Sequence, residues 1–127
     1  MITEDYCSFE VAKLLKEKGF NEPIRCWYDN TKDFHESGVK MRNSDCINPT
    51  IMCPTHQMAM KWLREVHKVL IVIDAYHADH WEGYIDSFEI SIYSHASTII
   101  VPDEIAHHTD YEEAVEAALK FCLENLI

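Results

Sequence analysis

Apolar residues recur at helical spacing in three stretches of this chain and alternate, or run on unbroken, in the segments between them. In the first stretch, 9–18, Val11, Leu14 and Leu15 share one face, so the spacing predicts a short helix. Ser8 stands where an N-cap belongs, and Lys16 and Lys18 fall in the last turn, where positive charge suits the helix dipole. Gly19 is placed to take the left-handed position past the helix end. Phe20 can then fold back onto the last turn. Ile24 to Tyr28 alternates, with Ile24, Cys26 and Tyr28 on one side, and reads as a strand.

From Asp29 to Cys53 turn-forming residues dominate, broken only by a short strand signal around Val39 to Arg42. A structureless loop of that length is unusual in a compact domain, so a hidden strand or a segment ordered by a partner is expected there. Thr55 is the N-cap candidate of a second helix, whose buried stripe is Ala59, Trp62, Leu63 and Val66. Val69 to Ile73 follows as a continuous β-branched run, which reads as a central strand covered on both faces.

His77 to Gly83 reads as a loop, and Tyr84 to Tyr93 as a strand with Phe88, Ile90 and Ile92 on its dry side. A further short strand, Thr98 to Val101, is stopped by Pro102. Thr109 to Glu112 has the form of a capping box. The helix behind it carries the stripe Tyr111, Val115, Ala118, Leu119, Cys122 and Leu126. The order α-β-loop-α-β-β-β-α predicts one α+β domain over residues 1–127. Its architecture is a two-layer sandwich, an antiparallel sheet of three to five strands with helices packed on one face.

Charge narrows the function classes. With 22 acidic residues against 11 Lys and Arg, the formal net charge is −11. Phosphate backbones repel such a chain, so direct nucleic-acid binding is not expected. The acidic surface suits solubility, or docking on a basic protein partner. No run is long enough to span a bilayer, the N-terminal residues lack the pattern of a secretory signal, and five irregularly spaced cysteines suit free thiols. The cytoplasm is the expected compartment, and oligomeric state is left open.

Three groups of residues bear on chemistry. His77, Asp79, His80 and Glu82 cluster in the predicted loop, and a hairpin would bring His95 across from them, so His77, His80 and His95 are the candidate metal ligands. Their spacing matches no established zinc pattern, and an exposed polar hairpin tip is the plainer reading of the same residues. Cys46, Cys53 and His56 lie near the start of the second helix, whose N-terminus would favour a Cys53 thiolate beside an imidazole base; a packed, inert cysteine is the alternative. His107 and His108 read as exposed loop residues. Trp81 and Tyr84 are the candidate interaction residues, because exposed aromatics are enriched at binding hot spots. No phosphate loop, nucleophile elbow or cofactor motif is present, so no cofactor is expected.

The blocks Cys53-Pro-Thr-His-Gln-Met-Ala-Met-Lys-Trp-Leu-Arg-Glu65 and Tyr111-Glu-Glu-Ala-Val-Glu-Ala-Ala-Leu-Lys120, with Ser8 to Gly19 as a third, resemble small uncharacterised proteins of gut Bacteroidetes, their phages and integrated mobile elements. That resemblance covers about half the chain and implies a cytoplasmic or phage-related setting without any particular chemistry. Tyr84 to Leu126 is also similar in element order to the HicB antitoxin fold, though it lacks the glycine-rich strand connection and the added DNA-binding segment of that family. Three functions follow as expectations: an accessory protein that binds another protein through an acidic and aromatic surface, a metal-binding domain or metal-assisted hydrolase, and a HicB-like antitoxin or inhibitor.

Overall fold

Side-chain caps delimit the long helices. In the computed structural model, which describes residues 1–76, 87–95 and 97–127, helix α1 spans Phe9–Glu17 and begins where Ser8 Oγ accepts from the Val11 amide at 3.2 Å. Its end is a complete Schellman motif: Gly19 sits at φ 96°, its amide donates to the Lys16 carbonyl, and the Phe20 amide reaches back to Leu15 at 2.8 Å. Phe20 is thereby carried into the core, where it is 1% exposed. Helix α2, His56–Val66, starts on the predicted cap, Thr55 Oγ1 accepting from the Met58 amide.

Helix α4, Tyr111–Asn125, starts one residue later than the sequence pattern predicts. Asp110, extended at φ −123° and ψ 132°, caps the Glu113 amide at 2.9 Å in place of Thr109. The buried stripe turns with it. Ala114, Val115, Ala118, Leu119, Cys122 and Leu123 face the core, while Tyr111 is 37% exposed.

The class is α+β, as expected, but the strands divide between two antiparallel sheets where one was expected. The first holds β1 (Ile24–Tyr28) between β2 (Phe34–Met41) and β3 (Ile51–Met52). Both outer strands fall inside the stretch whose apolar signal fails. Strand β2 reads poorly because it is polar and mostly exposed, and its pairing with β1 shifts register between Ile24 and Cys26. A 3-10 turn over Asn43–Asp45 ties this sheet to α1: buried Asn43 donates to the Phe20 carbonyl at 2.8 Å and accepts from the Met52 amide at 2.9 Å.

The second sheet is centred on β5 (Ser87–Ser94). Strand β4 (Val69–Tyr76) lies along one side of it. On the other side β6 (Ser97–Ile99) and β7 (His107–His108) follow one another. Helix α3, Asp103–Ala106, leads into β7. Ile90 and Ile92 are buried and Tyr93 is exposed, so the helices cover one face and solvent the other.

Two sequence readings need correction here. Val69–Ile73 is not the central strand: β4 is an edge among the described residues, with Leu70 40% exposed. A short apolar run carries no period, so it cannot distinguish a covered strand from an edge strand. Val66 is 55% exposed, because the core-facing part of α2 ends at Leu63.

One hydrophobic core joins both sheets. It runs from Val11 and Leu15 on α1 through Leu63 on α2 to Val115, Leu119 and Leu123 on α4, and takes in Cys26, Met52, Ile90 and Ile92. Among the described residues no helix is long and apolar enough to cross a membrane.

Candidate functional site

The residues nominated for metal binding and interaction fall mostly outside the described residues, namely His77, His80, Trp81 and Tyr84. His95 is described. It is exposed, at φ 51°, in the turn between β5 and β6. Among the described residues no group of three or more His, Cys, Asp or Glu side chains is placed to hold a metal ion. His107 and His108 are not loop residues. As β7 they pair with Glu89 and Phe88, and half-buried His108 lies with Nε2 2.6 Å from the Ile105 carbonyl.

The thiolate reading of Cys53 is overturned. Cys53 is fully buried, and burial pushes its thiol up to about 12 despite a hydrogen bond with Tyr28. Its Sγ donates to the Cys7 carbonyl at 3.1 Å, and Cys46 Sγ turns to the Arg42 carbonyl at 3.3 Å and to Met52. Burial raises the Cys7, Cys46 and Cys122 thiols as well. None of these four is a poised thiolate, because desolvation penalises the charged form.

His56 has a different partner. Its Nε2 lies 2.8 Å from Glu116 Oε1 on α4. The same carboxylate accepts from the Ser8 amide and the Ser8 hydroxyl, each at 2.8 Å. The segment before Ser8 completes the arrangement: Cys7 N–H donates to the Pro54 carbonyl, His56 N–H donates to the Asp5 carbonyl, and Tyr6 bridges to Thr55. Glu116 thus ties together the N-terminal segment and the starts of α1 and α2. Burial raises its pKa, but hydrogen bonds from His56 and from the Ser8 side chain and backbone outweigh that, and the carboxyl ends below its ordinary value.

Serine, histidine and glutamate invite comparison with a catalytic triad, but their order is wrong for one. A serine nucleophile needs the imidazole at its Oγ and the carboxylate on the far side of the ring. Here the carboxylate stands between the other two, and Ser8 Oγ is already engaged by Glu116 and by the Val11 amide. The constellation is a structural clamp. Ser8 and His56 were legible as a cap and as a helix-start residue. Glu116 was not, although a histidine on the apolar face of α2 (His56, Ala59, Trp62, Leu63) signals a polar group that must find a partner.

The clamp floors an acidic surface. A shallow depression of about 360 Å³ is lined by Asp5, Tyr6, His56, Glu112, Glu113 and Glu116, and an adjoining one of about 390 Å³ by Ile2, Glu4, Asp5, Gln57 and Tyr111. Among the described residues neither is lined by lysine or arginine. Tyr6 and Tyr111, which line them, stand half-exposed at 36% and 37%; Tyr6 packs on Phe34 at 5.1 Å and Tyr111 on Phe88 at 5.5 Å. A hydrogen bond with Cys26, burial, and the charges of Glu36 and Glu4 push the Tyr6 phenol up to about 12. A third groove, of about 350 Å³ beside α2, sets Lys40 and Lys61 among Glu22 and Glu65 and so carries no single sign.

A second acidic feature lies on the turn after β1. Asp29 accepts from Thr31 Oγ1 at 2.6 Å, from His35, whose ring stacks on Trp27 at 4.3 Å, and from the Asp33 amide. These hydrogen bonds, Thr31 first, hold its carboxyl well below the usual range. They account for a self-contained turn.

No family model, curated protein or solved structure matches the chain.

Proposed function

We propose that the chain is a non-enzymatic protein-binding module whose acidic, tyrosine-edged surface over the Ser8–Glu116–His56 clamp docks on a basic protein. The cytoplasmic or phage-related setting that the sequence resemblance implies suits such an accessory role. The observation that carries this reading is the one-signed lining of the two adjoining depressions beside half-exposed Tyr6 and Tyr111. Carboxylates of one sign steer a cationic partner, while tyrosines supply rigid contact area with little entropy to lose. The clamp supports the reading by anchoring α4 against two other segments through Glu116, one turn beyond Glu112 and Glu113, so the surface is preformed.

The test is affinity capture from host cells, followed by titration of the recovered partner against the wild type and a Glu4→Gln/Glu112→Gln/Glu113→Gln variant. A basic partner is expected, bound in a salt-sensitive complex that weakens about tenfold in the variant, mostly through a slower association rate. Loss of thermal stability should stay within about 1 kcal/mol, since all three side chains are exposed. Binding that is indifferent to both salt and neutralisation would sink the proposal.

A further inference from the structure

Two cysteines face each other where the N-terminal segment crosses the first sheet. Cys26 lies in β1 and Cys53 just past β3, and they continue the antiparallel register that pairs Tyr28 with Ile51 and Trp27 with Met52. The Cys53 amide donates to the Cys26 carbonyl at 2.8 Å, as that register requires. Directly opposed residues of an antiparallel pair send their side chains to the same face. At a hydrogen-bonded position their Cα atoms stand about 5.5 Å apart, inside the span of about 4.4–6.8 Å that a disulfide bridges. Cys26 is 3% exposed and Cys53 is fully buried, and Cys26 acts electrostatically on the Cys53 thiol, so the two sense each other. Cys7 stands one position out of this register: its amide donates to the Pro54 carbonyl, and its Sγ turns to the Thr55 carbonyl at 3.9 Å.

The N-terminal segment covers this pair. Cys53 Sγ donates to the Cys7 carbonyl at 3.1 Å, and the Tyr6 phenol is hydrogen-bonded to Cys26. The segment is itself held by backbone bonds from Cys7 to Pro54 and from His56 to Asp5, and by the Ser8 contacts to Glu116. We propose that Cys26 and Cys53 are a reversible redox pair, closed to a cross-strand disulfide by a low-molecular-weight disulfide when the N-terminal segment lifts. Lifting the segment lets water reach the sulfurs and removes the desolvation that keeps Cys53 protonated. One protein thiolate attacks the small disulfide, forming a mixed disulfide and releasing one small thiolate. The other protein thiolate then displaces the second small thiolate and closes the Cys26–Cys53 bond. The two protons shed by the protein thiols pass to the two small thiolates, and the two electrons of the dithiol reduce the small disulfide. Once closed, Cys53 no longer donates to the Cys7 carbonyl and Tyr6 loses its thiol partner. Closure therefore loosens the segment that carries Glu4, Asp5 and Tyr6. Its effect on partner binding rests on the docking reading above, whereas the cross-link does not.

The test is to incubate the folded full chain with oxidised glutathione at mildly alkaline pH, and to map its thiols by mass spectrometry after denaturing alkylation. The expected product is lighter than the reduced chain by about 2 Da before alkylation, and it offers two fewer thiols than the five free cysteines of the reduced protein. Its map should hold one cross-linked peptide pair, Cys26 to Cys53, which dithiothreitol opens again. Cys7→Ser should keep that link and Cys26→Ser should lose it. Glu116→Gln slackens the hold on Ser8, so the same link should form about tenfold faster. A poorly folded variant would scramble its thiols, so the wild-type map is the deciding measurement. A mixture of pairings, a link to Cys7 or Cys46, or glutathione adducts with no internal link overturns the proposal, as does a closure rate that Glu116→Gln leaves unchanged. A closed link that leaves affinity for the recovered basic partner unaltered overturns the coupling to docking alone.

Discussion

Replacing Glu116 with alanine is expected to lower the unfolding free energy by about 3 kcal/mol and the thermal midpoint by roughly 10 °C. The change removes the acceptor of three hydrogen bonds at once, from the Ser8 amide, the Ser8 hydroxyl and His56. Hydrogen bonds to a charged group contribute about 1.5–3 kcal/mol each. The Glu116 side chain is 27% exposed, however, so water re-solvates part of what is lost and the simple sum is too large. His56 sits at 8% side-chain exposure and would be left with a buried ring nitrogen lacking its acceptor, which is the costlier half of the loss. Glu116→Gln keeps the shape and one acceptor oxygen, and about half the effect should remain. Urea unfolding of the three proteins checks this, and an alanine variant within about 1 kcal/mol of wild type would refute the clamp.

The same carboxylate gives the protein an acid limb. Its folded-state pKa lies below the ordinary value, so the native state binds its proton less readily than the unfolded chain does. The stabilisation is therefore fully present above the unfolded-state pKa of about 4.3 and is lost as pH falls through the lower folded value. Half-buried Asp29 is shifted the same way by Thr31, His35 and Asp33 and adds to the limb. Stability of the wild type should fall as pH drops below about 4.5, more steeply than that of Glu116→Gln.

The parts of the fold legible in sequence are those written in local chemistry. Ser8, Thr55 and Gly19 are read correctly because a cap or a positive φ depends on one side chain and its next three residues. Thr109 is chosen over Asp110 because both can cap and both have a glutamate three residues on, so the choice rests on the backbone angle. The apolar period catches only the end of β2, in the signal around Val39 to Arg42, because residues 34–38 alternate only between half-buried and exposed, and it misses β3, which is two residues long. The division into two sheets is set by pairings such as Trp27 with Met52, which periodicity does not encode.

The candidate site was less legible still, for the same physical reason. Glu116 meets Ser8 across 108 positions and His56 across 60, and in its own helix it looks like any surface glutamate of a Glu- and Ala-rich stretch. The net charge of −11 announced an acidic surface but not its place. That place follows from folding, which sets Glu4 and Asp5 beside the first turn of α4 and leaves Tyr6 and Tyr111 at the rim. Charge is thus legible as a property of the chain and binding geometry only as a property of the fold.

Phe20→Ala should be the most damaging single truncation, at about 3–5 kcal/mol. Phe20 is the largest fully buried side chain among the described residues, and its ring meets Trp62 edge-on at 5.4 Å. Its backbone is held independently of the ring: the amide closes the Schellman motif on Leu15, and the carbonyl accepts from Asn43. Because these bonds fix the chain path, the site cannot collapse readily onto the missing ring, and a cavity beside Trp62 is expected rather than a repacked core. Asn43 also holds Met52, so any movement that did close the cavity would strain the first sheet. Phe20→Leu, which fills most of the volume, should cost less than half as much. Thermal melts should show a drop of roughly 10–20 °C for alanine, with the tryptophan fluorescence transition shifting in parallel. A loss of under about 1.5 kcal/mol for alanine would mean that the α1 terminus relaxes freely, and that the junction of α1, α2 and the first sheet is softer than its hydrogen bonds imply.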